Sequence, residues 1–142
     1  MFRVLLSVSL ALGALVLLSG PALAEKPEVD PTKITNDLKE IVLAYHNYAD
    51  KNKGAAPSKA ADLETFISEK NKKRLVGLLE NKGIVFVFDV KITDMKDGTS
   101  NTIIAYEKDA PTKGGMVAYG DGSVKKLTAD EFKKAIVAKA KK

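Results

Sequence analysis

The apolar residues of this chain change period at Gly83. In "PTKITNDLKEIVLAYHNYADKNKG" Ile34, Leu38, Ile41, Tyr45 and Tyr48 recur at spacings of four and three, with Val42 and Ala49 on the same side. That is the apolar stripe of an amphipathic helix. In "IVFVFDV" the alternation is two: Ile84, Phe86, Phe88 and Val90 share one side, and Val85, Val87 and Asp89 the other. A chain with helical period first and strand period after it, and short turns between the strands, folds as α+β rather than as alternating βαβ units. The expectation is an N-terminal amphipathic helix on an antiparallel sheet of about four strands in meander order. Ile84, Phe86, Phe88 and Val90 should meet Leu38, Ile41, Tyr45 and Tyr48.

Local signals place the other elements. Asp30-Pro31 is a cap followed by a proline in the first helical position, and Lys51-Asn52-Lys53-Gly54 ends that helix. Ser58 is the expected cap of a second helix through Leu63, Phe66 and Ile67. "RLVGLLENKG", with Gly77 inside it, makes a third that stops near Gly83. Because a polar residue appears only late on the second face of 84–90, this strand is expected to be central. Further strands are expected at 102–107, 116–120 and 123–127, with 108–115 a loop containing Pro111. Thr128 and Glu131 form a capping box for a last helix that carries Phe132, Ile136 and Val137. The lysine-rich tail 138–142 is expected to fray.

Residues 1–24 read as a cleavable secretory signal peptide: Arg3, an apolar run from Val4 to Leu18, Gly20-Pro21, then the A-x-A site Ala22-Leu23-Ala24. The alternative is an uncleaved anchor, although the run falls short of the ~20 residues a spanning helix needs. Cleavage leaves 25–142 as a single domain with no membrane span, exported to the periplasm or beyond. The chain has no cysteine, so this domain must hold together without disulfides. Losing Arg3 leaves 22 Lys+Arg against 18 Asp+Glu, a net charge of +4. The excess is dispersed lysine, with Arg74 the one mature arginine. Nucleic-acid binding calls for clustered arginine and interleaved aromatics instead, so no nucleic-acid partner is expected.

Two Asp-Gly pairs, Asp97-Gly98 and Asp121-Gly122, pose the question of function. Between strands, Asp-Gly calls for a two-residue type I′ hairpin with φ > 0 at both positions. Asp121-Gly122 is read that way, and so is Asp97-Gly98, where Ser100 and Asn101 can bond the local backbone. The rival is calcium, which takes about six to eight oxygens. Asp94 and Asp97 offer two carboxylates and are the metal candidates, but neither loop has EF-hand density. The one histidine, His46, lies at the edge of the helix stripe and reads as a flank residue half covered by a neighbouring loop. Its catalytic alternative would enlist Ser58, Ser68, Ser100 or Ser123, none of which lies in a nucleophile elbow. Gly114-Gly115 precedes a strand, so no helix N-terminus is there to cradle phosphate. No cofactor is expected.

Three stretches in order, "LKEIVLAYHNYAD", "DGTSNTIIAYEKD" and "GGMVAYGDGSVKKLT", resemble the pilin-like domain of unknown function numbered family 1559. This is a planctomycete-type family with an H-x9-D-G signature, related to type II secretion pseudopilins. The resemblance runs from Leu38 to Phe132. It rests most on Asp97, Gly98, Thr99, Ser100, Asn101, Thr102 and Glu107, and on Gly114, Gly115, Asp121, Gly122, Ser123 and Val124. It implies that these are turns and strand edges of a pilin-type sheet, with no reaction attached. Pro111 stands where the signature histidine would be, and the mature helix starts amphipathic rather than as an apolar stalk. The chain therefore resembles a pilin head without its stalk. The function expected is that of a non-enzymatic envelope protein, structural or an interaction module, whose partner is an unspecified envelope protein or polymer. The alternatives are a calcium-dependent adhesion or secretion accessory, and an enzyme with a His46-centred site.

Overall fold

A computed structural model of the protein describes residues 30–141. Residues 1–29, which include the expected signal peptide and its cleavage site, and Lys142 lie outside the described residues. The described chain is mixed α and β: a long N-terminal helix packs on a largely antiparallel sheet.

Helix α1 spans Pro31–Lys51. The Asp30 carboxylate accepts the Thr32 N–H at 2.9 Å, and Pro31 opens the first turn, which supplies one of the bonds a helix start lacks. Ile34, Leu38, Ile41, Val42, Tyr45 and Ala49 are buried as the stripe requires, while Tyr48 is half-buried with its ring edge-on to Phe66 at 5.8 Å. Ala44 and Asp37 are buried too, outside the stripe. The buried arc is wider than one face because the sheet covers one side of α1 and the segment 60–80 covers another.

That segment holds α2, Ala60–Leu63, followed by a 3-10 turn, Glu64–Phe66, and α3, Lys72–Glu80. Ser58 does not cap as expected. Its N–H and hydroxyl, with the Lys59 N–H, donate to the Asp62 carboxylate at 2.9, 3.3 and 3.1 Å. The acceptor is thus an acid inside the first turn, where free N–H groups and the helix dipole favour negative charge. Helix α3 starts at Lys72 and closes before Gly83. The Lys82 N–H reaches the Leu79 carbonyl and the Gly83 N–H that of Leu78, with Lys82 itself in the left-handed region at φ 55°. This is a helix-ending motif that more often places glycine at that position.

A polar network locks α3 to α1. Arg74 forms a two-pronged bond to the Asp37 carboxylate, Nη2 to Oδ1 at 2.7 Å and Nη1 to Oδ2. Glu40 accepts the Ser68 N–H at 2.9 Å, the Ser68 hydroxyl, and Asn71 Nδ2 at 2.6 Å. Burial works against ionisation of Glu40, but the Ser68 and Asn71 hydrogen bonds and the nearby Arg74 charge together hold its carboxyl below the ordinary value. Its Asp37 partner raises the already high pKa of Arg74.

The sheet follows the meander order β1-β2-β3-β4, with β1 Ile84–Phe86, β2 Thr102–Glu107, β3 Gly115–Tyr119 and β4 Val124–Leu127. A fifth strand, β5 Ile136–Val137, pairs parallel with the start of β2. The expectation that 84–90 is a long central strand is overturned. Strand β1 has three residues and pairs only with β2. Beyond Phe86 the alternation ends: Val87, Phe88 and Val90 all pack into the same core as Phe86, and Asp89 takes φ 59°. The apolar second face of the stretch reflects this irregular path. The central strand is β2, whose Ile103 and Ile104 enter different cores, and a register shift between Ile103 and Ala105 marks a bulge there.

On one face of the sheet lie α1, α2 and α3. Here Leu38, Ile41 and Tyr45 meet Ile84, Phe86 and Val90, with Phe88 and Tyr48 at the margin. The Tyr45 ring is 5.7 Å edge-on from Phe86, and its hydroxyl donates to the Val90 carbonyl at 2.8 Å. Burial, with the Asp94 charge second, pushes that hydroxyl up to about 12. On the other face, Ile103, Ala110, Val117, Tyr119 and Phe132 form a smaller core under α4, Ala110–Lys113, and α5, Ala129–Lys134. Both helices correct the sequence reading. The expected loop 108–115 contains a helical turn with Pro111 in its first turn, where proline costs no hydrogen bond. The Thr128–Glu131 capping box forms as expected, but α5 stops at Lys134, so Ile136 and Val137 belong to a strand and not to that helix. In the tail read as frayed, Ala138 is buried and donates its N–H to the Ile103 carbonyl at 2.8 Å.

The Asp37–Arg74 pair yields a stability prediction. Asp37 is 5% exposed, so Arg74→Met would leave a buried carboxylate without its partner. The expected loss is about 3 kcal/mol, measured by urea denaturation at neutral pH. The double variant Asp37→Leu with Arg74→Met should recover most of it. A loss under about 0.5 kcal/mol for Arg74→Met would mean that the pair acts as an ordinary exposed ion pair.

Candidate functional site

The two Asp-Gly loops meet. The turn after β3 donates the Gly120 N–H to the Thr102 carbonyl at 2.9 Å and the Asp121 N–H to the Thr99 carbonyl at 3.2 Å. His46 reaches the same place from α1, with Nε2 2.6 Å from the Gly120 carbonyl oxygen. A carbonyl can only accept, so that ring nitrogen carries the proton. Residues far apart in sequence thus form one corner of the fold, where a helix and two loops converge.

Gly120 is the centre of this corner. A Cβ there would lie 2.5 Å from Met95 Sδ and 3.2 Å from the Thr99 carbonyl, and both Met95 and Gly120 are buried. The Asp121-Gly122 turn differs from the two-residue hairpin expected. Tyr119 and Ser123 bracket three residues: the Gly122 N–H bonds the Tyr119 carbonyl and the Tyr119 N–H that of Ser123, both at 2.9 Å. Only Gly122 has positive φ, 88°. This is the three-residue hairpin closed by a left-handed glycine, and Gly120 is its first residue. The Asp121 carboxylate accepts the Ser123 N–H at 2.9 Å and the Ser123 hydroxyl at 2.7 Å. The hydroxyl bond first and the N–H bond second hold its carboxyl below the usual value, against a small opposing effect of burial.

Asp97-Gly98, by contrast, is not in a hairpin, because it follows a 3-10 turn, Ile92–Asp94, rather than a strand. The Gly98 N–H bonds the Met95 carbonyl at 3.0 Å, and the Gly98 carbonyl accepts the Asn101 N–H at 3.2 Å and the Thr102 hydroxyl at 2.9 Å. Asn101 Nδ2 donates to the Asp97 carbonyl. These are successive turns that aim Thr99 at the hairpin. Ser100 is exposed beside them.

Of the remaining motif residues, Glu107, Gly114 and Gly115 sit at the other end of β2 and β3, while Val124 adjoins the Asp121-Gly122 hairpin, opposite Ala118. The Glu107 carboxylate accepts the Met116 N–H at 2.5 Å and lies over Gly115, where a Cβ would come 2.8 Å from it. Gly114 ends α4 with φ 76°, and Val124 begins β4. The motif therefore divides into two joints of the sheet rather than one cluster.

Of the two metal candidates, Asp94 is bonded through Oδ1 to the Lys141 ammonium and through Oδ2 to the Lys91 N–H at 3.4 Å. The Lys141 bond comes first among the effects that lower its pKa. Asp97 is exposed. Among the described residues no group of three or more His, Cys, Asp or Glu is placed to hold a metal ion. The Ser58, Ser68 and Ser123 hydroxyls donate to Asp62, Glu40 and Asp121, and the hydrogen bond of His46 goes to the Gly120 carbonyl. Asp37, Glu40 and Arg74 were missed as a set by sequence reasoning; Arg74, the one arginine among the described residues, was the available signal, since arginine suits a two-pronged carboxylate bond.

Comparison with protein-family models, with curated proteins and with solved structures finds no match. Among the described residues no helix is long and apolar enough to cross a membrane.

The corner makes a ranking of substitutions. Gly120→Ala should cost the most, about 2 kcal/mol, through overpacking against Met95 and the Thr99 carbonyl. Gly122→Ala should cost about 1 kcal/mol from left-handed strain alone, because the space around it is open. Asp121→Asn keeps the acceptor for Ser123 and should change stability by under about 0.5 kcal/mol. Denaturant midpoints of the three variants test the order, and an Asp121→Asn loss larger than that of Gly120→Ala would overturn it.

Proposed function

We propose that this chain is an exported, non-enzymatic envelope protein of pilin or pseudopilin type, an α+β head that acts as a structural or interaction module. The observation that carries the reading is the docking of the two Asp-Gly loops on each other and on His46. It supports a mechanical role for the motif residues of that corner, joining helix to sheet. The long amphipathic helix on a meander sheet supports it, being the arrangement implied by the resemblance to family 1559. So does the order of the three stretches that carry that resemblance. The apolar leader ahead of Glu25 supports export.

Two measurements on material from the native host test the proposal together. N-terminal sequencing of the exported protein should begin at Glu25, and an intact Met1 on membrane material would replace the exported form with an anchored one. Residues 25–142, immobilised as bait, should retain an envelope protein or polymer equally well with chelator and with calcium. Retention that requires calcium would favour the adhesion alternative. Failure to retain any envelope component would remove the interaction role.

A further inference from the structure

The two Asp-Gly pairs share a sequence but not an environment. An Asp-Gly bond is where a protein chain most readily isomerises. The Gly amide nitrogen, on losing its proton, attacks the Asp Cγ; an N–Cγ bond forms, the C–OH bond breaks and water leaves, giving a five-membered succinimide. Water then adds to either ring carbonyl and restores aspartate or yields isoaspartate, with no net change in composition. The reaction needs a small following residue, a carboxyl free to turn back onto the next nitrogen, and a protonated fraction of that carboxyl, since a carboxylate is a poor electrophile.

Most of these conditions do not separate the two pairs. Both glycine N–H groups are engaged, Gly98 with Met95 at 3.0 Å and Gly122 with Tyr119 at 2.9 Å. Both aspartates are exposed, and both glycines have room around them. The carboxylates differ. That of Asp121 points forward past Gly122 and is held there by the Ser123 N–H and hydroxyl. That of Asp97 makes no hydrogen bond or ion pair among the described residues, and only its backbone carbonyl is engaged, by Asn101. We infer that Asp97-Gly98 is a site of spontaneous isomerisation and that the fold shields Asp121-Gly122 from the same reaction. The lowered pKa of Asp121 acts in the same direction, by keeping its carboxyl ionised.

The location gives the modification a consequence. An isoaspartate at 97 routes the main chain through Cβ and Cγ and lengthens it by one bond. Gly98 and Thr99 come next, and their carbonyls accept from Asn101, Thr102 and Asp121. Isomerisation there would undock the hairpin from the 95–102 loop, so the chain carries a slow chemical clock in the joint that holds its corner together.

Ageing of the intact folded protein at neutral pH and body temperature, followed by peptide mapping with electron-based fragmentation, counts isoaspartate at each position. Asp97 should accumulate about ten-fold more than Asp121 in the native protein, and the two should react at similar rates in concentrated denaturant. Asp97→Glu, which cannot form the five-membered ring, should remove the product at 97 and leave position 121 unchanged. Equal accumulation in the folded protein, or a ratio that persists in denaturant, would overturn the inference.

Discussion

An added Cβ at position 120 would press on Met95 Sδ at 2.5 Å and on the Thr99 carbonyl at 3.2 Å, and the contacts around this glycine order the rest of the fold. The main chain of Gly120 is held from two directions, its N–H by the Thr102 carbonyl and its carbonyl by His46, while Met95 Sδ and the Thr99 carbonyl fill the space where a Cβ would stand. Each contact ties a different part of the sequence to the β3–β4 turn. Helix α1 enters through His46, the start of β2 through Thr102, and the 95–99 loop through Thr99 and Met95. Fixing this point fixes the direction in which α1 crosses the sheet. It also brings Tyr45, the neighbour of His46, over Phe86 and under Val90. A helix lying on a sheet by apolar contact alone can slide, since burial is non-directional. Directional bonds at the corner and at Asp37–Arg74 hold the two ends of the same helix.

Those two anchors differ in kind. At the corner the donors and acceptors are mostly backbone groups in turns, which must find partners wherever they are buried. At the other end the bonds join charged side chains, and Asp37 could not remain buried without Arg74. Between the anchors α1 presents apolar residues to two neighbours, the sheet and the α2–α3 segment. This explains why its buried arc includes Ala44 and excludes Leu43, which is 59% exposed.

Much of this was legible in the residues, for identifiable physical reasons. The stripe from Ile34 to Ala49, the Asp30-Pro31 start and the Thr128–Glu131 box are local signals, and local chemistry is enough to form them. The meander order followed from short turns between strands. Misreadings arose where tertiary contacts override pattern. The alternation of 84–90 suggested a long strand, but the chain leaves the ladder once β2 bulges, and Val87 and Phe88 turn to the same core. Ile136 and Val137 sat at helical spacing from Phe132, yet the free edge of β2 beyond β1 recruits them as a strand. The pairing of Arg74 with Asp37, 37 positions apart, has no local signature. The Asp-Gly pairs lie at turns, but with another geometry than expected: Gly120 joins the hairpin loop as the first of its three residues, and its bonds to Thr102 and His46 are invisible in the dipeptide. His46 was expected at the edge of the stripe beside a loop, where it lies, but the identity of its acceptor required the fold.

The Asp-Gly corner is built as a joint of the fold, with backbone bonds from one loop to the other. Amides in a joint exchange with solvent only when a large part of the structure opens, whereas those of a mobile loop exchange through small local fluctuations. Native-state hydrogen exchange at the Gly120 and Asp121 amides measures this directly. Both should be strongly protected, with opening free energies that approach that of global unfolding and that calcium leaves unchanged. Rapid exchange at both positions, slowed by calcium, would contradict it.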